Sequence, residues 1–215
     1  MKSAIGLIDY GMGNLQSVAN SCEYLGHAVK RIRTEDDFNG LTHVILPGVG
    51  AFRQGMENLQ KMGLDGSLKD HIARKKINLL GICLGMQLLA TSGTEGRAGE
   101  IWEGDGLGLI PGRVERFKDL GLRIPHIGWN EARAIKTNPL MPVVGKTVDY
   151  YFVHSYFFNA AHEEDVLAVC DYGTTFPCVV GRDNVFGVQF HPEKSHRLGL
   201  DLLNNFFKAP CLRNV

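Results

Sequence analysis

The 215-residue sequence carries no surplus of charge: Lys and Arg together number 23, as do Asp and Glu. Such a balance offers no electrostatic pull toward a nucleic acid or an anionic membrane. The five cysteines (Cys22, Cys83, Cys170, Cys178 and Cys211) form neither a CxxC pair nor an even, regular set. That argues against a disulfide scaffold and a cysteine zinc site, and it fits a reducing cytoplasm. No GxxxxGKS/T phosphate loop is present. Gly11-Met12-Gly13-Asn14-Leu15-Gln16 imitates a dinucleotide fingerprint, but Gln16 stands where close helix–strand packing needs a third glycine. Neither a cofactor nor a metal is expected. The apolar start, Ala4 to Ile8, is cut short by Asp9, too soon for a signal peptide. Ile77 to Thr94 runs 18 residues without a charge, the length of a membrane-span candidate. Asn78, Gln87, Thr91, Ser92 and three glycines dilute it, so a buried strand, a turn and a buried helix account for it better.

Hydrophobic residues at 44% and charged residues at 21% are ordinary for a globular protein, and the length suits one domain over residues 1–215. The first two-thirds alternates strand and helix patterns. Strands are expected at 4–8, 28–33 and 43–46, and helices at 14–25, 51–62 and 64–75, followed by the strand that leads to Cys83. This alternation implies an α/β fold whose parallel sheet is covered on both faces. From Gly96 onward Gly and Pro become dense. Strands are expected at 114–117, 150–158, 167–172, 178–181 and 185–190, as hairpins extending the same sheet, with a last helix at 201–207. Thr91 to Gly99 reads as a loop.

The most informative stretch is Asn78-Leu79-Leu80-Gly81-Ile82-Cys83-Leu84-Gly85-Met86-Gln87. An apolar strand meets a helix there, and glycines bracket the cysteine two residues away on each side. A sharp strand-to-helix turn of that kind exposes its middle side chain and leaves no room for neighbours. A thiol placed beside a helix N-terminus tends toward thiolate. Cys83 is therefore the candidate nucleophile, while Cys22, Cys170 and Cys178 read as small buried hydrophobes.

A thiolate that attacks an acyl group needs a base that also protonates the leaving group. Among eight histidines, His191 closes the strand-like run Val185 to Phe190, at a strand end where ligands sit in parallel sheets. If extended geometry continues, Glu193 points the same way and can orient the imidazole. His154, inside an aromatic strand, and His126, between Pro125 and Ile127, read as packed structural histidines. Pro47-Gly48-Val49-Gly50 follows a strand and precedes a helix, so its amides can meet an anion. With the amide of Leu84 it supplies the two donors of an oxyanion hole.

Together these residues resemble the class I, triad-type glutamine amidotransferases. Asp9 to Asn14, Leu46 to Phe52, Gly81 to Gln87, Pro125 to Asn130, Tyr151 to Tyr156 and Gly187 to Ser195 are similar, more narrowly, to glutaminase subunits of imidazole glycerol phosphate synthase. The resemblance spans nearly the whole chain. It implies a three-layer fold in which a central, mostly parallel sheet is flanked by helices and carries an antiparallel extension in the C-terminal half. It implies a triad of Cys83, His191 and Glu193, with Val49, Gly50 and Leu84 as oxyanion donors. It further implies a glutamine pocket made of Gly48, Gln87, Glu95 for the substrate ammonium, and Ser155 and Tyr156 around its carboxylate. Its partner is a (β/α)8-barrel cyclase that consumes the ammonia in histidine biosynthesis, docked near Trp129, Asn130, Tyr151 and Lys194. A paralogue feeding another synthase, a stand-alone γ-glutamyl peptidase and a non-catalytic binding relative remain alternatives. Valine resists positive φ, so the Val49–Gly50 amide is expected to turn inward only when the partner docks.

Overall fold

A computed structural model describes residues 4–74, 77–97, 100–119 and 121–210. Its elements, in order, are β1 (Ile5–Ile8), α1 (Leu15–Tyr24), β2 (Val29–Ile32), β3 (His43–Leu46), α2 (Phe52–Lys61), α3 (Leu64–Ala73), β4 (Asn78–Ile82) and α4 (Leu84–Leu88). There follow β5 (Ser92–Glu95), β6 (Ile101–Asp105), β7 (Gly112–Arg116), β8 (His126–Ala134), β9 (Thr147–His154), β10 (Tyr156–Ala160), β11 (Val166–Asp171), β12 (Thr175–Arg182), β13 (Val185–Val188) and α5 (His196–Lys208).

Nine strands form one sheet in the order β2-β1-β3-β4-β13-β12-β11-β8-β9. Neighbours are parallel from β2 to β13 and antiparallel from β13 to β9. Strands β1, β3, β4 and β13 are buried at every position, the continuous apolar signature of a sheet covered on both faces. On one face Val18 and Cys22 of α1 join Leu202, Leu203 and Phe206 of α5. On the other lie Phe52, Met56 and Leu59 of α2 with Leu64 and Leu68 of α3. The result is three layers, with helices on both sides of the sheet. No helix among the described residues is long and apolar enough to cross a membrane, and the uncharged stretch from Ile77 divides among β4, α4 and β5.

Several expectations need correction. The late strands do not all extend the first sheet: β10, β7, β5 and β6 build a separate four-stranded one. The run 150–158 is two strands broken at Ser155, and the chain changes sheet there, which an unbroken aromatic pattern does not record. Strand β8 was hidden by Pro125 and Gly128, and the expected loop at 91–99 contains β5; residues 98 and 99 lie outside the described set, as do Lys75 and Cys211. Helix α5 begins at His196 rather than Asp201. Its Gly199 is not a helix breaker, since a β-carbon there would lie 1.9 Å from the Pro192 carbonyl oxygen. Backbone-to-backbone packing of α5 on the His191–Glu193 turn requires that glycine.

Candidate active site

Strands β3, β4 and β13 run parallel in register, with Leu46 opposite Gly81 and Ile82 opposite Val188. Their carboxyl ends therefore open at one edge, the position where α/β sheets hold ligands. Residues 47–50 leave β3, Cys83 leaves β4, and His191 follows β13, so three segments far apart in sequence converge.

The turn at Cys83 has φ 54° and ψ −111°, a conformation costly for any side-chain-bearing residue. Cys83 N donates to Val188 O at 2.8 Å, which ties the turn to β13. A β-carbon at Gly85 would stand 1.8 Å from Leu46 O, and one at Gly81 2.6 Å from Gly85 O. The two glycines thus let the elbow close against β3 and against itself. Helix α4 has only five residues, so its dipole is short. The positive partner for the sulfur is supplied instead by an imidazole.

That imidazole is His191. Its Nδ1 lies 2.7 Å from Glu193 Oε1, while Nε2 is buried without a hydrogen-bond partner among the described residues. Burial alone would lower its pKa, but Cys83 and Glu193 outweigh burial and raise it to about 9. Glu193 reaches the ring by a route other than strand alternation: Pro192–Lys194 is a 3-10 turn, which folds the carboxylate back. Ser195 fixes that turn, since its hydroxyl donates to His191 O at 2.6 Å and accepts from Tyr151 N at 3.0 Å.

A cavity of about 340 Å³ lies in front of the thiol, and Val49, Gly50, Leu84, Gln87, Glu95, Ser155, Tyr156, His191 and Lys194 all line it. Gly48 sits just behind, where a β-carbon would meet the Tyr10 hydroxyl at 2.5 Å and Leu84 Cβ at 2.8 Å. Val49 is 43% exposed and is not among the residues with positive φ; the unusual angle falls on Gly50, at 108°. Glu95, at the end of β5, accepts from Phe52 N at 3.1 Å. Burial, tempered by that bond, raises its carboxyl to about 7.

Trp129, Tyr151 and Lys194 gather outside this mouth. The Trp129 and Tyr151 rings meet edge to face at 6.2 Å, and Lys194 Nζ lies 6.0 Å from the Tyr151 centroid. Asn130 departs from them. Alternation along β8 turns it to the opposite face, where it is bonded to His126, so it does not share the surface formed by the other three.

Two residues of the site were not singled out from the sequence. Tyr10 donates its hydroxyl to Pro47 O at 2.9 Å and so supports the 47–50 loop. Gln189, fully buried, places Nε2 3.8 Å from Cys83 Sγ and accepts from Gln87 Nε2 at 3.2 Å. A polar amide directly after the apolar run of β13 was the available signal.

The family model described as glutamine amidotransferase class-I matches residues 6–209. The imidazole glycerol phosphate synthase subunit HisH of Leptospira interrogans is 43% identical over 94% of this chain and 98% of its own. The HisH subunit of Salinibacter ruber is 44% identical, over 95% and 94% respectively. Among solved structures, PurLQS from Thermotoga maritima aligns with a TM-score of 0.74 at 17% identity, over 96% of this chain and 98% of that one. A structure titled as a glutamine amidotransferase aligns at 0.72 and 21% identity, over 95% and 97%. At such identities these two bear on the fold alone.

Proposed function

The chain belongs to the class I glutamine amidotransferase family, and from that premise we propose how its site works. It is the glutaminase subunit of an imidazole glycerol phosphate synthase, hydrolysing glutamine to glutamate and ammonia for histidine biosynthesis. The observation that carries the mechanism is the meeting of Cys83 and His191 on one cavity at the strand ends, with Glu193 bonded to the His191 ring behind it.

The thiolate of Cys83 attacks the side-chain amide carbon of glutamine, and the oxyanion is held by the Leu84 amide and an amide of the 49–50 loop. With its pKa raised to about 9, His191 is protonated at neutral pH, and its Nε2 proton goes to the departing ammonia. The neutral ring then takes a proton from water, which opens the thioester to give glutamate and regenerates the pair. Glu193 holds the tautomer and stabilises the cation. Glu95 receives the substrate ammonium, and Ser155 and Tyr156 border its carboxylate.

Free ammonia would be lost to water, so the mouth is sealed by a cyclase subunit of (β/α)8-barrel form that consumes the ammonia. Trp129, Tyr151 and Lys194 form part of that contact. The 49–50 amide turns inward only on docking, which spares glutamine when the cyclase is idle. The site acts in the cytoplasm, in keeping with the free thiols of Cys22, Cys83, Cys170 and Cys178.

The test is glutamine turnover by the chain alone, with the cyclase, and with the cyclase carrying its nucleotide substrate. Turnover that rises stepwise and vanishes in Cys83→Ala is expected. Full turnover by the chain alone would favour a γ-glutamyl peptidase, and stimulation only by a different synthase would move it to another pathway.

A further inference from the structure

Two buried histidines form a pair that the proposed chemistry leaves unused. His126 in β8 lies directly opposite His154 in β9, and His126 Nδ1 is 3.0 Å from His154 Nε2. The outer nitrogens are engaged too. His126 Nε2 faces Asn130 Nδ2 at 3.2 Å, and His154 Nδ1 faces the Tyr156 carbonyl oxygen at 2.8 Å.

The proton positions follow from each end independently. A carbonyl oxygen only accepts, so His154 Nδ1 carries its ring proton and Nε2 is an acceptor. At the other end Asn130 Oδ1 accepts from Glu131 N at 2.8 Å, and Nδ2 donates to Asp171 O at 3.0 Å. These partners fix the amide's orientation, so Nδ2 donates to His126 Nε2. The His126 proton then sits on Nδ1 and points at the His154 acceptor. Both derivations give the shared bond the same direction. Protonating either ring would set one N–H against another, and burial, the largest influence, lowers the pKa of His126 to about 4 and of His154 to about 3.

The thread continues into the glutamine pocket. Tyr156 O accepts a second bond, from Gln87 Nε2 at 2.9 Å, and Gln87 in turn holds Gln189 beside the sulfur. Gln87 Oε1 takes no hydrogen bond from a described residue, which leaves it for substrate. Aromatic walls surround the pair: Tyr172 stacks on His126 at 4.0 Å, and Phe117 and Phe176 pack on His154 at 5.2 and 5.3 Å. Two apolar rings would fill such a box without four buried nitrogens to satisfy. Packing alone does not call for imidazoles here.

We propose that the His126–His154 pair is a one-way hydrogen-bond relay that positions glutamine, by clamping the Tyr156 carbonyl and through it the Gln87 amide in the pocket wall. The inference rests on the glutaminase reading above. His154 also borders the cavity, yet both histidines are positioning residues, since their ring nitrogens are engaged with each other, Asn130 and the Tyr156 carbonyl and bear on glutamine through Tyr156 and Gln87.

Two measurements test it. Imidazole nitrogen NMR of the 15N-histidine-labelled chain at neutral pH is expected to show both rings neutral and protonated on Nδ1. An Nε2–H tautomer or an imidazolium at either position overturns the relay. In the complex with the cyclase, His154→Gln loses the Nδ1 donor whereas His154→Asn keeps a donor at that place. His154→Gln is expected to raise the glutamine KM about three- to tenfold, the size of one neutral hydrogen bond, with kcat within about twofold. His154→Asn is expected to stay within about twofold of the unsubstituted KM. Equal KM values in the two variants overturn the proposal, and if His154→Gln does not fold the tautomer spectrum decides. A complex that turns over no glutamine at all would defeat the glutaminase reading and leave the tautomer result standing.

Discussion

The Nδ1 atom of His191 lies 2.7 Å from Glu193 Oε1, with both side chains 2% exposed. Buried contact between a carboxylate and an imidazole favours the protonated ring. Because the folded pKa of His191, about 9, lies above its ordinary 6.5, the stabilisation is complete below about pH 6.5 and is lost as pH rises through about 9. Glutaminase activity, which uses the same proton, is expected to fall on an alkaline limb near pH 9. Glu193→Gln should move the His191 titration to lower pH, read by NMR, and cut kcat by roughly 10³- to 10⁴-fold. An unmoved titration would mean that Glu193 does not hold the imidazolium.

Glu95 titrates in the opposite functional sense. Burial raises its carboxyl from 4.5 to about 7, so the folded state disfavours its anion and stability declines as pH rises through about 7. In the proposed site the substrate ammonium, however, needs that anion. The glutamine KM is therefore expected to rise as pH drops below about 7. Glu95→Gln should raise KM, flatten its pH dependence, and raise the melting temperature at pH 8. A variant with unchanged KM would remove Glu95 from the ammonium site.

How far the sequence showed this site depends on whether a residue's neighbours are close along the chain. Cys83 was legible because Gly81 and Gly85 mark the elbow locally, and the Leu46 oxygen that requires Gly85 explains the mark. His191 and Glu193 were legible as a pair, but for a geometric reason the structure replaces, a 3-10 turn instead of an extended strand. The second sheet was not legible, since nothing in Tyr151-Phe152-Val153-His154-Ser155-Tyr156 shows the chain changing sheets at Ser155. Gln189 and Tyr10 escaped notice because their partners lie more than thirty residues away. A separation of 28 residues likewise hides the bond from His126 to His154, although each residue alone reads as packed.

The elbow stores strain that substitution can release. At φ 54° and ψ −111° the Cys83 backbone suits glycine better than any residue with a β-carbon, by about 1–2 kcal/mol. Both Cys83→Gly and Cys83→Ala should be inactive, with the glycine variant more stable by about 1 kcal/mol in urea unfolding. Gly85→Ala is expected to cost roughly 4 kcal/mol or more, because its β-carbon meets backbone that side-chain motion cannot clear. A Gly85→Ala protein as stable as the unsubstituted chain would show that β3 and the elbow are not locked together.

The oxyanion loop offers a prediction opposite to the usual effect of replacing an active-site glycine. Rotating the Val49–Gly50 peptide changes ψ of Val49 and φ of Gly50, so valine's resistance to positive φ is not what holds the loop. Gly50 holds the strained angle, at φ 108°, and a β-carbon there would also lie 2.7 Å from Met12 Cε. An alanine at position 50 is thus disfavoured in the resting arrangement by about 1–2 kcal/mol, and the penalty is relieved if the peptide rotates to negative φ. If the inward-facing amide is the rotated form, Gly50→Ala should raise glutamine turnover by the isolated subunit, by up to about five- to thirtyfold. Stimulation by the loaded cyclase should shrink by the same factor, because the substitution has already done part of what docking does. Basal turnover that falls or stays level in Gly50→Ala would mean that the resting loop already holds its amide toward the thiolate, and the gate must then be sought elsewhere.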